Sequence, residues 1–316
     1  MITTVTLNPA IDQTIIVDKV VLGTVHKVRI RRMDVGGKGI NVSKVISLLG
    51  GDSVAIGYLG RENKRFFEDF FEEYGMSHDF VLVDGSTRTN TKIIDLSEHQ
   101  TTEFNEIGFA IFKNDVEELK AKIRNYQGSS KYVVFSGSMG QGNYKGLFGE
   151  YLSQINDHNK IVIDATGDML LEGVKHSPFL IKPNVDELKS TFGLESTSID
   201  GLIKEAIIIK QKFGIRWILL SMGSEGAALI SDDMVLRANA VKVEVKSAVG
   251  AGDSMLGGFI YAFDKFGDAK KAFKYAMACG AAAVTTEGTE LFDKSLVMDL
   301  YTKVQVEDMS ALYFEI

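Results

Sequence analysis

Ser247-Ala248-Val249-Gly250-Ala251-Gly252-Asp253-Ser254-Met255-Leu256-Gly257-Gly258-Phe259 passes from a glycine-rich turn into a segment compatible with a helix. A β-like segment at 241–245 precedes it. The unit therefore reads strand, turn, helix, the building block of α/β domains. Glycine lets the backbone approach a ligand closely. Where such a turn opens a helix, free N–H groups and the helix dipole make an anion site. The N–H groups of Gly250, Ala251 and Gly252 then face an anion, and Asp253 in the first helical turn faces the same point. A general base beside an anion site suits removal of a proton from an alcohol attacking a phosphoryl group. Read alone, Asp253 is equally an acid that starts a helix after a turn.

Two other phosphate-binding patterns are excluded. A dinucleotide fingerprint needs a glycine three residues after Gly252, where Met255 stands. No Gly-Lys-Ser/Thr closes a spaced glycine run, so there is no P-loop. A nicotinamide dehydrogenase is disfavoured on the same ground.

Working outward, short apolar strands are expected at 2–7, 54–58, 132–135, 161–164, 179–182 and 217–221. Amphipathic helices alternate with them at 41–49, 114–125, 145–155, 201–213 and 269–284. The first places Val42, Val45, Ile46 and Leu49 on one face. This alternation predicts a largely parallel sheet covered on both faces. Segments 12–35 and 87–105 depart from it, being rich in β-branched and polar residues. They are expected as strands outside the main sheet, paired into a small β-sheet lid over the strand ends.

Composition agrees with a single domain carrying an accessory part. The chain has 316 residues, 45% of them apolar, enough for a sizeable core. With 24% charged residues and 3 prolines, it offers no disordered linker. A net charge of −7 argues against an extended nucleic-acid surface. Cys279 is the only cysteine, which excludes an internal disulfide or thiolate zinc site and fits a reducing cytoplasm. The histidines never pair at i, i+4 as in a helical metal site. No apolar run approaches the ~18 residues of a membrane span, so a soluble cytoplasmic protein is expected.

Further loops carry chemistry. Gly36-Gly37-Lys38-Gly39-Ile40-Asn41 opens the first amphipathic helix, with positive charge at Lys38 and both donor and acceptor at Asn41 for a sugar hydroxyl. It is also readable as a tight turn with a solvated lysine. Asp12 offers a carboxylate to vicinal hydroxyls, or is a turn aspartate. Strand periodicity sends Arg88, Asn90 and Lys92 to one face, where a guanidinium suits a phosphomonoester; a solvated edge is the alternative. In Lys182-Pro183-Asn184-Val185-Asp186-Glu187, Asn184 and Glu187 share a face if Pro183 begins a helix, and suit Mg²⁺ held through water. Helix starts attract acids in any case. Ser221-Met222-Gly223-Ser224-Glu225-Gly226 reads as a second glycine turn, over nucleotide phosphates or within a hairpin.

Taken together, these motifs resemble the ribokinase-like PfkB family of carbohydrate kinases over essentially the whole chain. The resemblance rests on Gly36-Gly37-Lys38-Gly39-Ile40-Asn41-Val42, on Asn184 and Glu187, and on Val249-Gly250-Ala251-Gly252-Asp253-Ser254. Thr6-Leu7-Asn8-Pro9-Ala10-Ile11-Asp12, Ser136-Gly137-Ser138 and Ile181-Lys182-Pro183-Asn184 resemble the branch of 1-phosphofructokinase and tagatose-6-phosphate kinase. Thr87-Arg88-Thr89-Asn90-Thr91-Lys92 is more similar to the 1-phosphofructokinase form. Met139-Gly140, where the branch usually has Leu-Pro, and Ala248, where Thr is frequent, depart from the pattern.

The resemblance implies a three-layer α/β/α domain with a β lid, and homodimers packed through the lids. It implies ATP and Mg²⁺, with Asp253 as base and the Gly250–Gly252 amides stabilising the transferring phosphoryl group. Asp12, Gly36, Gly37, Lys38, Asn41, Arg88, Asn90 and Ser138 would hold the sugar phosphate, with Lys27 helping from the lid. Lys182, Asn184, Ser221–Gly226, Gly252 and Gly280 would line the nucleotide pocket. The implied reaction is phosphorylation of fructose 1-phosphate at O6, with tagatose 6-phosphate at O1 as the alternative. A reading of another class is a non-catalytic sugar-phosphate sensor on the same fold, which would have no use for Asp253.

Overall fold

Strands that are apolar on both faces require cover on both faces, and here helices supply it. The computed structural model describes residues 1–314. β1 (Ile2–Thr6) opens the chain, and β2 (Ala10–Val17) and β3 (Ile30–Gly36) leave it for a second sheet. α1 (Lys38–Leu49) leads back to β4 (Ser53–Gly60), followed by α2 (Lys64–Glu73) and β5 (Ser77–Val83). A second excursion forms β6 (Thr89–Asp95) and β7 (Gln100–Asn105). Alternation resumes with α3 (Lys113–Gln127), β8 (Tyr132–Ser136), α4 (Leu147–Leu152), β9 (Ile161–Asp164) and α5 (Gly167–Gly173). Next come β10 (Leu180–Ile181), α6 (Val185–Phe192), α7 (Ile199–Phe213) and β11 (Trp217–Ser221). β12 (Ala227–Ile230), β13 (Val235–Ala238), α8 (Ala251–Phe266), α9 (Ala269–Ala283), α10 (Lys294–Lys303), β14 (Glu307–Asp308) and α11 (Ser310–Tyr313) complete it.

The main sheet has the order β14-β13-β12-β11-β10-β9-β8-β1-β4-β5. It is parallel from β5 to β11 and antiparallel beyond. Its strands alternate between two cores, as a period of two demands. Val133, Phe135, Ile161, Ile163, Ile218 and Leu220 pack with α3, α4 and α7. Val134, Val162 and Leu219, pointing the other way, pack with α1, α8 and α9. The result is three layers. β1 lies between β4 and β8, so successive connections run to opposite sides of it. A crevice at such a switch point, outside the carboxyl ends of the strands, is where α/β sheets bind ligands.

The two excursions pair as β3-β2-β6-β7. Asp12 lies opposite Asp34 on one side and Asn90 on the other. Asn90 in turn lies opposite Asn105.

Three expectations are corrected. Segment 241–245 is not a strand, because β14 takes the free edge of β13 and leaves that segment no ladder to join. The helix expected at 145–155 is confined to Leu147–Leu152 by Gly146, whose φ of 96° is not helical. Pro183 does not begin a helix; Asn184, extended, is the N-cap of α6.

Candidate active site

The carboxyl ends of β1, β8, β9, β10 and β11 converge on one cavity of about 640 Å³, which the second sheet also borders. Asn8, just beyond β1, donates through Nδ2 to Ser138 Oγ beyond β8 at 3.3 Å, tying the two strand ends at the switch point.

α8 begins at this cavity. Gly250 is its N-cap with φ 76°, a left-handed conformation that favours glycine, and no side chain caps the helix. Among the described residues the N–H groups of Gly252 and Asp253 have no acceptor, while Ser254 N–H already reaches Gly250 O. The uncapped turn thus presents two donors and the positive end of the dipole. A Cβ on Gly252 would stand 3.1 Å from Lys182 Nζ, so the turn is kept bare where that ammonium approaches.

Asp253 is only 6% exposed. Asn41 Nδ2, arriving from α1, donates to its Oδ2 at 2.9 Å and fixes the carboxylate's orientation. Burial pushes the Asp253 carboxyl up to about 6, and the nearby Asp164 adds to the rise, while Lys38 and Asn41 hold it back. At neutral pH the group is ionised yet more basic than an ordinary carboxylate, which suits a general base.

Asp164, at the end of β9, was not singled out in the sequence, since one aspartate after a strand looks like any other. It is fully buried. Lys182 Nζ stands 3.2 Å and Lys38 Nζ 3.6 Å from its Oδ1, and Ser136 Oγ donates to its Oδ2 at 2.9 Å. Burial alone would raise this carboxyl, but Lys182, Lys38 and Ser136 outweigh it and leave Asp164 below its ordinary value. Asp164 in turn raises Lys38. The floor of the cavity is therefore two cations held by one buried anion, with Lys38 also 3.9 Å from Glu187 Oε1.

The glycines at the start of α1 serve packing. A Cβ on Gly39 would stand 2.4 Å from Thr6 Oγ1, and one on Gly36 would stand 2.3 Å from Asp12 Oδ2. Close approach is thus needed to seat α1 on β1 and β3 on Asp12. Gly36 itself lies behind the cavity wall, whereas Gly37, Lys38 and Asn41 line it.

From the second sheet, Asp12, Arg88, Asn90 and Lys92 face the cavity. Asn90 Nδ2 donates to Asp12 Oδ1 at 2.9 Å. Burial raises the Asp12 carboxyl, against the pull of Asn90 and Arg88. Ser138, Lys182, Asn184, Glu187, Ser221, Gly250 and Gly252 also line it. Asn184 and Glu187 form a reciprocal cap: Asn184 Oδ1 accepts from Glu187 N–H and Glu187 Oε2 from Asn184 N–H, both at 2.8 Å. Glu187 keeps Oε1 for the cavity side.

Other expected positions stand apart. Met222, Gly223, Ser224, Glu225 and Gly226 form the turn of the β11–β12 hairpin and do not line the cavity. A Cβ on Gly226 would come within 1.9 Å of Ala238 O, so that glycine serves the β13 contact. Gly280 is buried in α9 against Met255 and the Ala251 carbonyl. Ala251 lies in the anion turn without lining the cavity. Lys27 is exposed on the connection between β2 and β3. Thr289 and Gly288, between α9 and α10, line the cavity; no sequence signal marked them.

Known proteins resemble this chain over almost its whole length. The model of the pfkB family carbohydrate kinases matches residues 5–295. The 1-phosphofructokinase of Vibrio cholerae is 34% identical over 313 residues, 99% of this chain and 97% of that protein. The 1-phosphofructokinase of Haemophilus influenzae is 34% identical over 96% of this chain and 97% of that protein. Phosphofructokinase-2 from Escherichia coli, in its complex with potassium, superposes with a TM-score of 0.88 at 23% identity, over 96% of this chain and 98% of that one. At that identity the likeness shows the shared ribokinase-like α/β fold. With a family model matched over nearly its whole length and relatives above 30% identity covering almost all of it, the chain belongs to the PfkB family of carbohydrate kinases.

Proposed function

We infer that the protein transfers the γ-phosphoryl group of ATP to O6 of fructose 1-phosphate, giving fructose 1,6-bisphosphate and ADP. The observation that carries this reading is the buried Asp253 carboxylate beside the uncapped start of α8, with Arg88 on the wall of the same cavity. The curated relatives named 1-phosphofructokinase favour this acceptor.

In the proposed reaction Asp253 takes the proton of the acceptor hydroxyl as that oxygen bonds to the γ-phosphorus. The bond from that phosphorus to the bridging oxygen breaks, and its electrons leave with ADP. The Gly252 and Asp253 N–H groups and the α8 dipole stabilise the charge on the transferring group. Lys38 and Lys182, held by Asp164, add fixed positive charge without reorganisation. Arg88 would bind the phosphate already on the sugar, a role suited to a guanidinium fork. Asp12 and Asn90 would hold hydroxyls. Asn41 Oδ1 and Asn90 Oδ1 are buried without a hydrogen-bond partner among the described residues, which favours a polar ligand.

The donor set fits Mg²⁺ held mainly by water and phosphate. Asn184 and Glu187 offer hard oxygen donors, and no group of three or more His, Cys, Asp or Glu among the described residues gathers to hold a metal alone. Bound there, the ion would neutralise phosphate charge.

The second sheet would act as a lid that excludes water during transfer. Leu22, Val25, Phe104 and Ile107 expose apolar surface on it and on its flanking segments, which supports pairing with a second copy through the lids. Sedimentation of the purified protein checks this, since a monomer at micromolar concentration would refute it.

The deciding experiment is kcat/KM for fructose 1-phosphate, tagatose 6-phosphate and fructose 6-phosphate under one set of conditions. Preference for fructose 1-phosphate supports the reading. Preference for another sugar phosphate reassigns the acceptor, and binding without turnover of any would make the protein a sensor.

A further inference from the structure

The segment 287–290 has no regular structure, yet Gly288 and Thr289 line the cavity. Thr289 Cγ2 is 3.5 Å from where a Cβ on Gly250 would be, so the segment packs beside the N-cap of α8. Its position is held from α1. Lys44 Nζ donates to the carbonyl oxygen of Thr289. Lys44 lies three residues after Asn41, on the same helical face, so one face of α1 serves both Asp253 and the segment beside Gly250.

Lys44 is 6% exposed. Burying an ammonium is costly unless it is paired, and among the described residues no carboxylate lies within ion-pair distance of Lys44. Asp34 on β3, Asp12 on β2, Asp253 on α8 and Glu290 on the segment itself act on it from farther away. Asp69 and Glu73 of α2 and its C-cap Tyr74 border the adjoining cavity, and the Phe70 ring centroid is 5.7 Å from Nζ. Among the described residues its one direct acceptor is a backbone carbonyl. A contact of that kind fixes a chain position.

We propose that Lys44 is a positioning residue for phosphoryl transfer, its ammonium holding the Thr289 carbonyl so that segment 287–290 seats the anion-binding turn at Gly250. The inference rests on the reading of Gly250–Gly252 as that turn. Burial lowers Lys44 to about 8, against the raising influence of its acidic neighbours. The ammonium then loses its proton around pH 8, and turnover should fall with it.

The test is kcat and KM from pH 6 to 10 for the wild type, Lys44→Met and Lys44→Arg. Lys44→Met should lower kcat about 30-fold at pH 7, somewhat less than loss of a direct oxyanion donor. Both KM values should stay within about 3-fold, the pattern of a loss confined to the transition state, and the alkaline limb of kcat should vanish. Lys44→Arg should keep kcat within about 5-fold and move that limb up by at least about one pH unit, because guanidinium stays charged. A kcat for Lys44→Met within about 3-fold of wild type, or an alkaline limb unmoved in Lys44→Arg, would overturn the proposal. If Lys44→Met does not fold, the Arg profile decides alone. Asp253→Asn, measured alongside, separates the two readings. If it retains wild-type turnover, the site assignment fails; if it is inactive while both Lys44 variants match wild type, only the role of Lys44 fails.

Discussion

Replacing Asp253 by Asn should abolish most turnover and at the same time make the folded protein more stable. The Asp253 carboxyl is raised from 3.8 to about 6, chiefly by burial and then by Asp164. That value already includes the opposing pull of Lys38 and Asn41, so its direction reflects the net cost of the charge. Two pH units correspond to about 3 kcal/mol. The folded state holds this proton more tightly than the unfolded chain does. Stability from this group is therefore lost as pH rises from about 4 to about 6, and the whole penalty is present at neutral pH. The amide introduced by Asp253→Asn would carry no charge, would fill the same space and could still accept from Asn41 Nδ2. The variant should gain about 3 kcal/mol at pH 7.5 and less than about 1 kcal/mol at pH 4. For a chain of this length the first figure is a rise in Tm of about 5 °C. Thermal unfolding of both proteins at the two pH values, without nucleotide, measures it, while turnover should fall at least ~10²-fold. A gain equal at both pH values, or a loss at pH 7.5, would refute the assignment of Asp253 as a buried, destabilised carboxylate.

Arg88→Ala should raise KM for the sugar phosphate at least ~30-fold and change kcat less than about 5-fold, since the phosphate it binds does not react; equal losses in both would place Arg88 elsewhere. Asp164→Asn leaves Lys182 buried with no carboxylate within ion-pair distance among the described residues, and should cost about 3–5 kcal/mol in denaturant unfolding. A cost below about 1 kcal/mol, the range of exposed pairs, would contradict its structural role. Glu187→Gln should raise the Mg²⁺ concentration for half-maximal rate about 10-fold or more, and an unchanged Mg²⁺ titration would remove Glu187 from the metal site.

What could be read along the chain was whatever depends on neighbours a few residues away. The period of Val42, Val45, Ile46 and Leu49 marked α1, because one helical face repeats every three or four residues whatever it packs against. The β-branched, polar stretches marked the second sheet, because a half-exposed strand differs in composition from a strand buried on both faces. Gly250 and Asp253 marked the start of α8, since the turn and the acid are both local to it. Segment 241–245 misled for the complementary reason: a strand exists only with a partner, and β14 had taken the edge. The glycine turn after β11 read equally as part of a hairpin, which is where it stands, with Gly226 required by the contact with β13. Asp164 and Lys44 gave no local sign, since each depends on residues far along the chain, Lys182 and Lys38 for one and Thr289 for the other. The position of the proposed base was marked in the sequence. Its basicity was not, because that comes from desolvation and from Asp164, Lys38 and Asn41, which only the folded chain brings around Asp253.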